Sequence, residues 1–299
     1  MSRRHRANPL SSLRAEKTFG SPVLFSGIAA LILTKPEMNI LSHHVKITTE
    51  NLLKLHPKTK ESFVFLVFGT FPAQATVHMK QLTLFSMICR LPNNILNKVA
   101  RDLLLSKGSQ KSWFGQIENI CHQYALPHPL ELLDKTPEKE VFKTLVKRNV
   151  ADYWQQVYRA QVSELSSLQY FKPAFCSLLK PHPLLHTAAN PYDVNKMVVQ
   201  LRLLSGRARL GSLLRHFSPA NDGVCELCHS ETEDLCHFLL PRCPALRERA
   251  DLLLGYMGTM VEDSINCKPI FDAWLRIARK MLPSGSSSFW TVLLSPKLY

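Results

Sequence analysis

Two cysteines, Cys225 and Cys228, are followed by His237 and Cys243 in the pattern C-x2-C-x8-H-x5-C. No other feature constrains the chain as much. Two thiols two residues apart can grip one metal ion from a tight knuckle, and a later His and Cys can complete a tetrahedral shell. Four protein ligands leave no position for water, so the pattern points to one structural zinc ion rather than a catalytic one. The competing reading is that these are ordinary core residues at a chance spacing. Cys89, Cys121, Cys176 and Cys267 lie among apolar residues, where free Cys is common. With 8 Cys and 12 His in the chain, some accidental spacings are expected. His229 directly after Cys228, and Cys236 directly before His237, widen the choice of ligands. Pro241 and Pro244 flank Cys243 and favour a turn there over a continuing helix.

A chain of 299 residues can hold one large or two modest domains. Its 45% apolar and 20% charged residues are those of a globular protein. Lys and Arg number 37 against 23 Asp and Glu, a net charge of +14 that points to an anionic partner, most commonly nucleic acid. The basic start at Arg3, Arg4 and Arg6 is not followed at once by an apolar signal region. The apolar stretch 22–33 is far shorter than the roughly 18–20 residues of a membrane span, so a buried helix is expected there. The expectation is a nuclear or cytoplasmic chain, not secreted and without a membrane partner. Its cysteines would be reduced or metal-bound.

The hydrophobic rhythm is mainly helical, and the expected fold class is mainly α. Residues 1–18 are polar and basic and read as a disordered tail. Residues 22–56 read as two helices around the Lys35-Pro36 break. Propensity alone makes 62–68 (SFVFLVF) a strand. Helices are expected over 83–90, 95–105 and 138–162. In the last of these, Val141, Leu145, Val146, Val150, Trp154 and Val157 recur at three- and four-residue steps. A Pro-rich loop over 172–191 ends with Asn190 as a cap and Pro191 at the first helical position of a helix reaching Leu204. Between 194 and 216 stand Lys196, Arg202, Arg207, Arg209 and Arg215 with no acidic residue. This run leads directly into the Cys-His motif, and Arg242 and Arg247 extend it.

Several phrases occur in an order and spacing that resemble the C-terminal part of non-LTR retrotransposon (LINE-type) reverse transcriptases, downstream of the polymerase palm. They are GSPVLFSGIAALIL (20–33), LLKLHPKT (52–59), HMKQLTLFSMICRLP (78–92) and SWFGQIENICHQYALPHPLELL (112–133). VADYWQQVYRAQVSELSSLQYFKPAF (150–175), RLLSGRARLGSLLRHF (202–217) and CELCHSETEDLCHFLLPRCPALRERA (225–250) complete the set. The resemblance covers roughly 19–255. It implies a thumb-like helical region over 19–106, a helical connector over 107–220 and a zinc knuckle over 221–250. Helical pieces and a tail over 251–299 have no counterpart in it. It implies Cys225, Cys228, His237 and Cys243 as the zinc ligands and leaves Cys236 out. Between the His and the last Cys this chain has one residue more than is usual in those elements, and Pro241-Arg242 look like its source. The resemblance also implies that 62–68 is helical, against the propensity reading.

Nucleotidyl transfer requires clustered carboxylates that hold two metal ions. The sequence contains no Asp-Asp pair and no Gly-rich phosphate loop. Asp102, Asp134, Asp152 and Asp193 stand alone and read as solvated or capping groups. Cys121 with His122, or Cys176 with His182, lacks an orienting third residue for nucleophilic catalysis. His78, His128 and His186 read as surface or loop histidines. Trp113, Phe114, Tyr153, Trp154 and Tyr170 can stack on bases, but their spacing with aliphatic residues favours core packing. The run from Lys196 to Arg215 is either a phosphate-contacting surface or the solvated face of an amphipathic helix. The expected function is therefore a noncatalytic module that binds RNA or an RNA–DNA junction through Lys196, Arg202, Arg207, Arg209, Arg215 and Arg242. The alternatives are an accessory piece of an RNA-directed DNA polymerase, active only beside a separate palm, and a truncated relic without function.

Overall fold

The computed structural model describes residues 8–91, 94–106, 112–168, 171, 173, 176–186, 191–207, 210–215, 222–225, 228–234 and 237, apart from the side chains of 191–193, 196 and 213. Among these the structure is helical, with isolated bridges and no β-strand. The chain divides into two compact units, 7–186 and a second containing 187–299.

In the first unit, α1 (Pro9–Ala15) is followed by a π-helical turn over Glu16–Gly20 and by α2 (Ser21–Leu24). Asn8 caps α1 by accepting from the Leu10 N–H at 2.8 Å, with Pro9 at the first helical position. The expected disordered tail over 1–18 is thus corrected from Pro9 onward; residues 1–7 lie outside the described part. The stretch 22–33 is corrected too. It holds only α2 and a 3-10 turn over Ile28–Ala30, with Val23 78% and Leu31 53% exposed. Its Gly27, at φ +70°, breaks the helix before Phe25 and Ile28 can share one long buried face.

Helix α3 (Lys35–Leu53) begins at a capping box. Thr34 Oγ1 accepts from the Glu37 N–H, and the Glu37 carboxylate accepts from the Thr34 N–H at 2.8 Å. These bonds hold the Glu37 carboxyl below its ordinary pKa. The Lys35-Pro36 step therefore starts this helix, since proline is tolerated in a first turn.

Helix α4 (Glu61–Phe68) is buried at every position from 62 to 68. A helix that is apolar all round needs packing partners on all sides. Phe63 meets Phe171 edge-on at 4.7 Å, and Phe65 stacks on Tyr158 at 6.2 Å. The Tyr158 hydroxyl donates to Glu61 at 2.9 Å, and the His182 N–H donates to the Val67 carbonyl at 2.8 Å. The strand suggested by β-propensity does not form, because the surroundings of 62–68 are helices rather than a pairing strand edge.

Helices α5 (Ala73–Cys89), α6 (Ile95–Leu105), α7 (Trp113–Gln123), α8 (Pro129–Asp134) and α9 (Lys139–Glu164) follow, with α10 (Pro183–His186) closing the unit. One apolar cluster joins Leu82, Phe85, Ala100, Ile117, Tyr124 and Val150. It joins residues on both sides of 107, from Ala75 to Val150. Phe114 lies in that core, and Trp113, Tyr153 and Trp154 pack against it. Their aromatic faces are engaged as the spacing suggested; Tyr170 is outside the described residues.

At the centre of this cluster the Tyr124 hydroxyl accepts from Trp154 Nε1 at 3.1 Å and lies 2.9 Å from His78 Nδ1. Indole N–H can only donate, which leaves the Tyr124 proton for His78 and makes its Nδ1 the acceptor. His78 is thus not a surface residue as expected, but 6% exposed. Burial pushes its pKa down to about 4 and raises that of Tyr124.

Two predictions arise from this unit. Gly69 has φ +60°, and a Cβ there would lie 2.2 Å from the Lys180 carbonyl carbon. Gly69→Ala should cost about 2–4 kcal/mol in urea unfolding, from the left-handed backbone and the clash together. For His78, folded and unfolded states are both neutral above pH 6.5. Between there and about pH 4 the unfolded chain takes a proton that the folded one refuses. Stability should fall by about 1.4 kcal/mol per pH unit as pH drops through that window, about 3 kcal/mol in all. His78→Gln should remove this slope relative to the parent chain.

Candidate metal centre

Helix α11 (Pro191–Leu204) starts with proline at its first position, as expected; Asn190 lies outside the described residues. It buries Val194, Met197, Val198 and Leu201. Its end turns through Gly206 at φ +63°, with the Arg207 N–H donating to the Arg202 carbonyl at 2.9 Å. The short helix α12 (Gly211–Leu214) follows.

The loop that carries the Cys-His motif is stitched to α12 by Glu233, a buried acid. Its carboxylate accepts from the Gly211 N–H at 2.8 Å, and its carbonyl accepts from Ser212 at 2.9 Å. Its own N–H donates to the Gly223 carbonyl at 2.8 Å. Gly211 permits the approach, because a Cβ there would lie 2.7 Å from the Gly223 oxygen. Val224 pairs with Thr232 as an isolated bridge, and the Cys225 N–H donates to Glu231 at 2.8 Å. These bonds fold the segment back on itself and raise the two-cysteine turn at its tip.

The turn closes when the His229 N–H donates to the Cys225 carbonyl at 2.9 Å. His229 itself sits at φ +53° and is exposed. Histidine is among the side chains enriched in this left-handed region, so His229 shapes the turn while remaining exposed. His237 comes from the other side. Its N–H donates to Asp234 Oδ1 at 2.6 Å, as at a helix start.

The ligand atoms of Cys225, Cys228 and His237 lie within 4.8 Å of one another and can hold a metal ion. Cys228 Sγ is 3.4 Å from His237 Nε2. Zinc–sulfur and zinc–nitrogen bonds at a tetrahedral angle place those atoms about 3.6 Å apart, so the pair fits one edge of such a shell. On the far side of the ring, Nδ1 lies 3.1 Å from Glu231 Oε2. A carboxylate there keeps the proton on Nδ1 and turns the Nε2 lone pair toward the thiols, as in carboxylate–histidine–zinc arrangements. The Ser230 hydroxyl donates to Cys228 Sγ at 3.3 Å. That bond, with the Ser230 and Glu231 N–H groups, pulls the Cys228 thiol down to about 6. Thiolate is the form that binds metal.

The other expected site residues are placed as follows. Cys243, Cys236, Arg209 and Arg242, and the side chain of Lys196, lie outside the described residues. Arg202 and Arg207 are half-buried, whereas Arg215 is exposed. Elsewhere, burial pushes the thiols of Cys89, Cys121 and Cys176 up to about 12. None of these three is an activated nucleophile at neutral pH. His128 accepts from the Leu130 N–H and pairs with Glu118 at 3.2 Å, so it caps α8. Asp134 pairs with Arg101 at 2.6 Å.

Sequence reasoning missed the supporting residues Glu231, Glu233 and Asp234. Their signal was an acidic cluster between the second Cys and the His. No single helix among the described residues is long and apolar enough to cross a membrane. No family model, curated protein or solved structure matches the chain.

Cys225→Ser and Cys228→Ser should each abolish stoichiometric zinc uptake by the full chain, measured by metal analysis after dialysis. Glu231→Gln should retain the stoichiometry at saturation but weaken zinc affinity about 10–100-fold in competition with a chelator. Unchanged affinity would mean that Glu231 does not orient His237.

Proposed function

We propose that this chain is a noncatalytic, zinc-stapled nucleic-acid-binding module, similar to the region that follows the palm in non-LTR retrotransposon reverse transcriptases. One zinc ion would be held by Cys225, Cys228, His237 and Cys243. The observation that carries the reading is the convergence of two thiols and an imidazole within 4.8 Å, with a carboxylate 3.1 Å behind the imidazole. The site is structural in this reading, because Cys243 takes the fourth position and no water remains to be activated.

The basic run supports the choice of partner. Arg215 is exposed and four residues beyond Gly211, which supports its choice as a phosphate contact near the metal loop. Arg202 and Arg207 are half-buried and would offer only part of each guanidinium. Lys196, Arg209 and Arg242 complete the proposed surface. Such contacts give affinity with little sequence choice, and the metal loop would supply any preference for RNA or an RNA–DNA junction. The continuous apolar core favours a folded module over a relic.

The test is binding of the full chain to single-stranded RNA and to duplex DNA over a salt series, with and without a zinc chelator. Affinity should fall steeply with salt, and chelation should remove the preference between the two nucleic acids. Arg215→Ala should weaken both ligands alike and reduce the salt slope by about 1. Absence of binding at low salt would refute the reading.

A further inference from the structure

Along the first unit runs a groove of about 760 Å³ between α5 and α9. Its floor is apolar and built from Phe71, Met79, Phe142, Val146, Met87 and Leu91. At one end Met87 and Leu91 are 57% and 51% exposed. Its walls are cationic. Lys139, Lys143 and Lys147 form a stripe at four-residue steps on α9, and Lys80 and Arg90 belong to the other side. No acidic residue lines it. The nearest acid on α9 that meets this stripe is Glu140, an exposed carboxylate 3.6 Å from Lys143. Exposed pairs of that kind are worth little. Arg90 is committed to the Ser86 and Pro137 carbonyls, at 2.6 and 3.0 Å, so the lysines are the adaptable charges.

This combination selects among anionic partners. A nucleic-acid strand offers phosphates to the lysines, but its bases need flat aromatic faces. The floor instead presents mostly thioether and aliphatic groups; of its two aromatic rings, Phe142 is almost wholly covered and Phe71 is half-buried against the core. Flexible methionines suit a surface that moulds to apolar side chains. The lysine stripe from Lys139 to Lys147 spans about 12 Å along the helix, at 1.5 Å per residue. That length accommodates roughly two turns of a second helix.

We propose that the α5–α9 groove docks an acidic amphipathic helix of a partner protein, with apolar residues at i, i+4 and i+7 on the Met79–Val146 floor and flanking Asp or Glu against Lys80, Lys139, Lys143 and Lys147. This site is separate from the metal loop and does not depend on zinc or on nucleic-acid binding. A second copy of the chain is a poor occupant, because its net charge of +14 would be repelled.

The probe is a fluorescent peptide of about 15 residues with a Leu and Phe face and Glu flanks, titrated with the full chain. Controls carry the same face with Lys flanks, or the same Glu content with Ser on the apolar face. Only the acidic amphipathic peptide should bind, and chelation of zinc should leave its affinity unchanged. Lys143→Glu with Lys147→Glu should weaken it at least about tenfold. Met87→Asp, at an exposed position, should weaken it while leaving the thermal transition in place. Equal binding of all three peptides would overturn the proposal. So would stoichiometric displacement of the peptide by single-stranded RNA, with the lysine substitutions weakening RNA and peptide alike, because the groove would then be a phosphate site.

Discussion

From 62 to 68 no side chain of α4 reaches water, so packing must come at it from all sides. Helices α3 and α9 and the segment around Phe171 and His182 supply it. Burying such residues stabilises by about 1.5–3 kcal/mol each. That gain is available only if the chain returns from 171–182 to cover the helix. Gly69 makes the return possible, since its missing Cβ leaves room for the Lys180 backbone. Helix α9, of 26 residues, then serves two tasks. Tyr158 and its neighbours seal α4, while Phe142, Val146 and Val150 close the other cluster. The outward face of the same helix is left to carry the lysine stripe.

The cysteines show how one side chain acquires different chemistry. Cys89, Cys121 and Cys176 are surrounded by apolar groups that cannot solvate a thiolate, so they stay protonated and act as small packing residues. Cys228 faces a hydroxyl and backbone N–H groups, which favour the anion. The difference comes from hydrogen-bond donors. The turn through His229 aims the N–H groups of 230 and 231 at the sulfur. Donors arranged this way suit a metal-bound thiolate, and they set Cys228 apart from the three scattered cysteines.

Much of the fold was legible in periodicity. Helix α9 was expected over 138–162 and found over Lys139–Glu164, and the buried positions Val146 and Val150 follow the anticipated steps. Periodicity has nothing to say about a segment without a polar face. Propensity alone therefore made the 62–68 run a strand; the helix that the resemblance implied is the one found, held by its helical surroundings. His78 was misplaced for a related reason. A lone polar residue in an apolar helix reads as exposed unless its partner is known, and Tyr124 is 46 residues away. At the candidate site, ligand spacing identified Cys225, Cys228 and His237, because metal geometry constrains sequence directly. Glu231 and Glu233 act through loop geometry, which spacing does not encode.

Acid placement in the second unit follows one logic. The stretch from 194 to 216 contains no Asp or Glu; Asp222 and Glu226 follow singly, and then Glu231, Glu233 and Asp234 arrive together. Glu231 lies on the outer nitrogen of His237, Glu233 ties the loop to α12 and Asp234 caps the His237 backbone. The Glu231 and Asp234 carboxylates thus have their partners on His237, and that of Glu233 has its partner on α12. Together they position the segment that carries Cys225, Cys228 and His237. Glu231 stands on the His237 side, and the Ser230 hydroxyl stands at Cys228, so the imidazole is oriented by an acceptor while the sulfur receives a donor. The same division lets one short segment favour a cation at its centre while the preceding run stays positive.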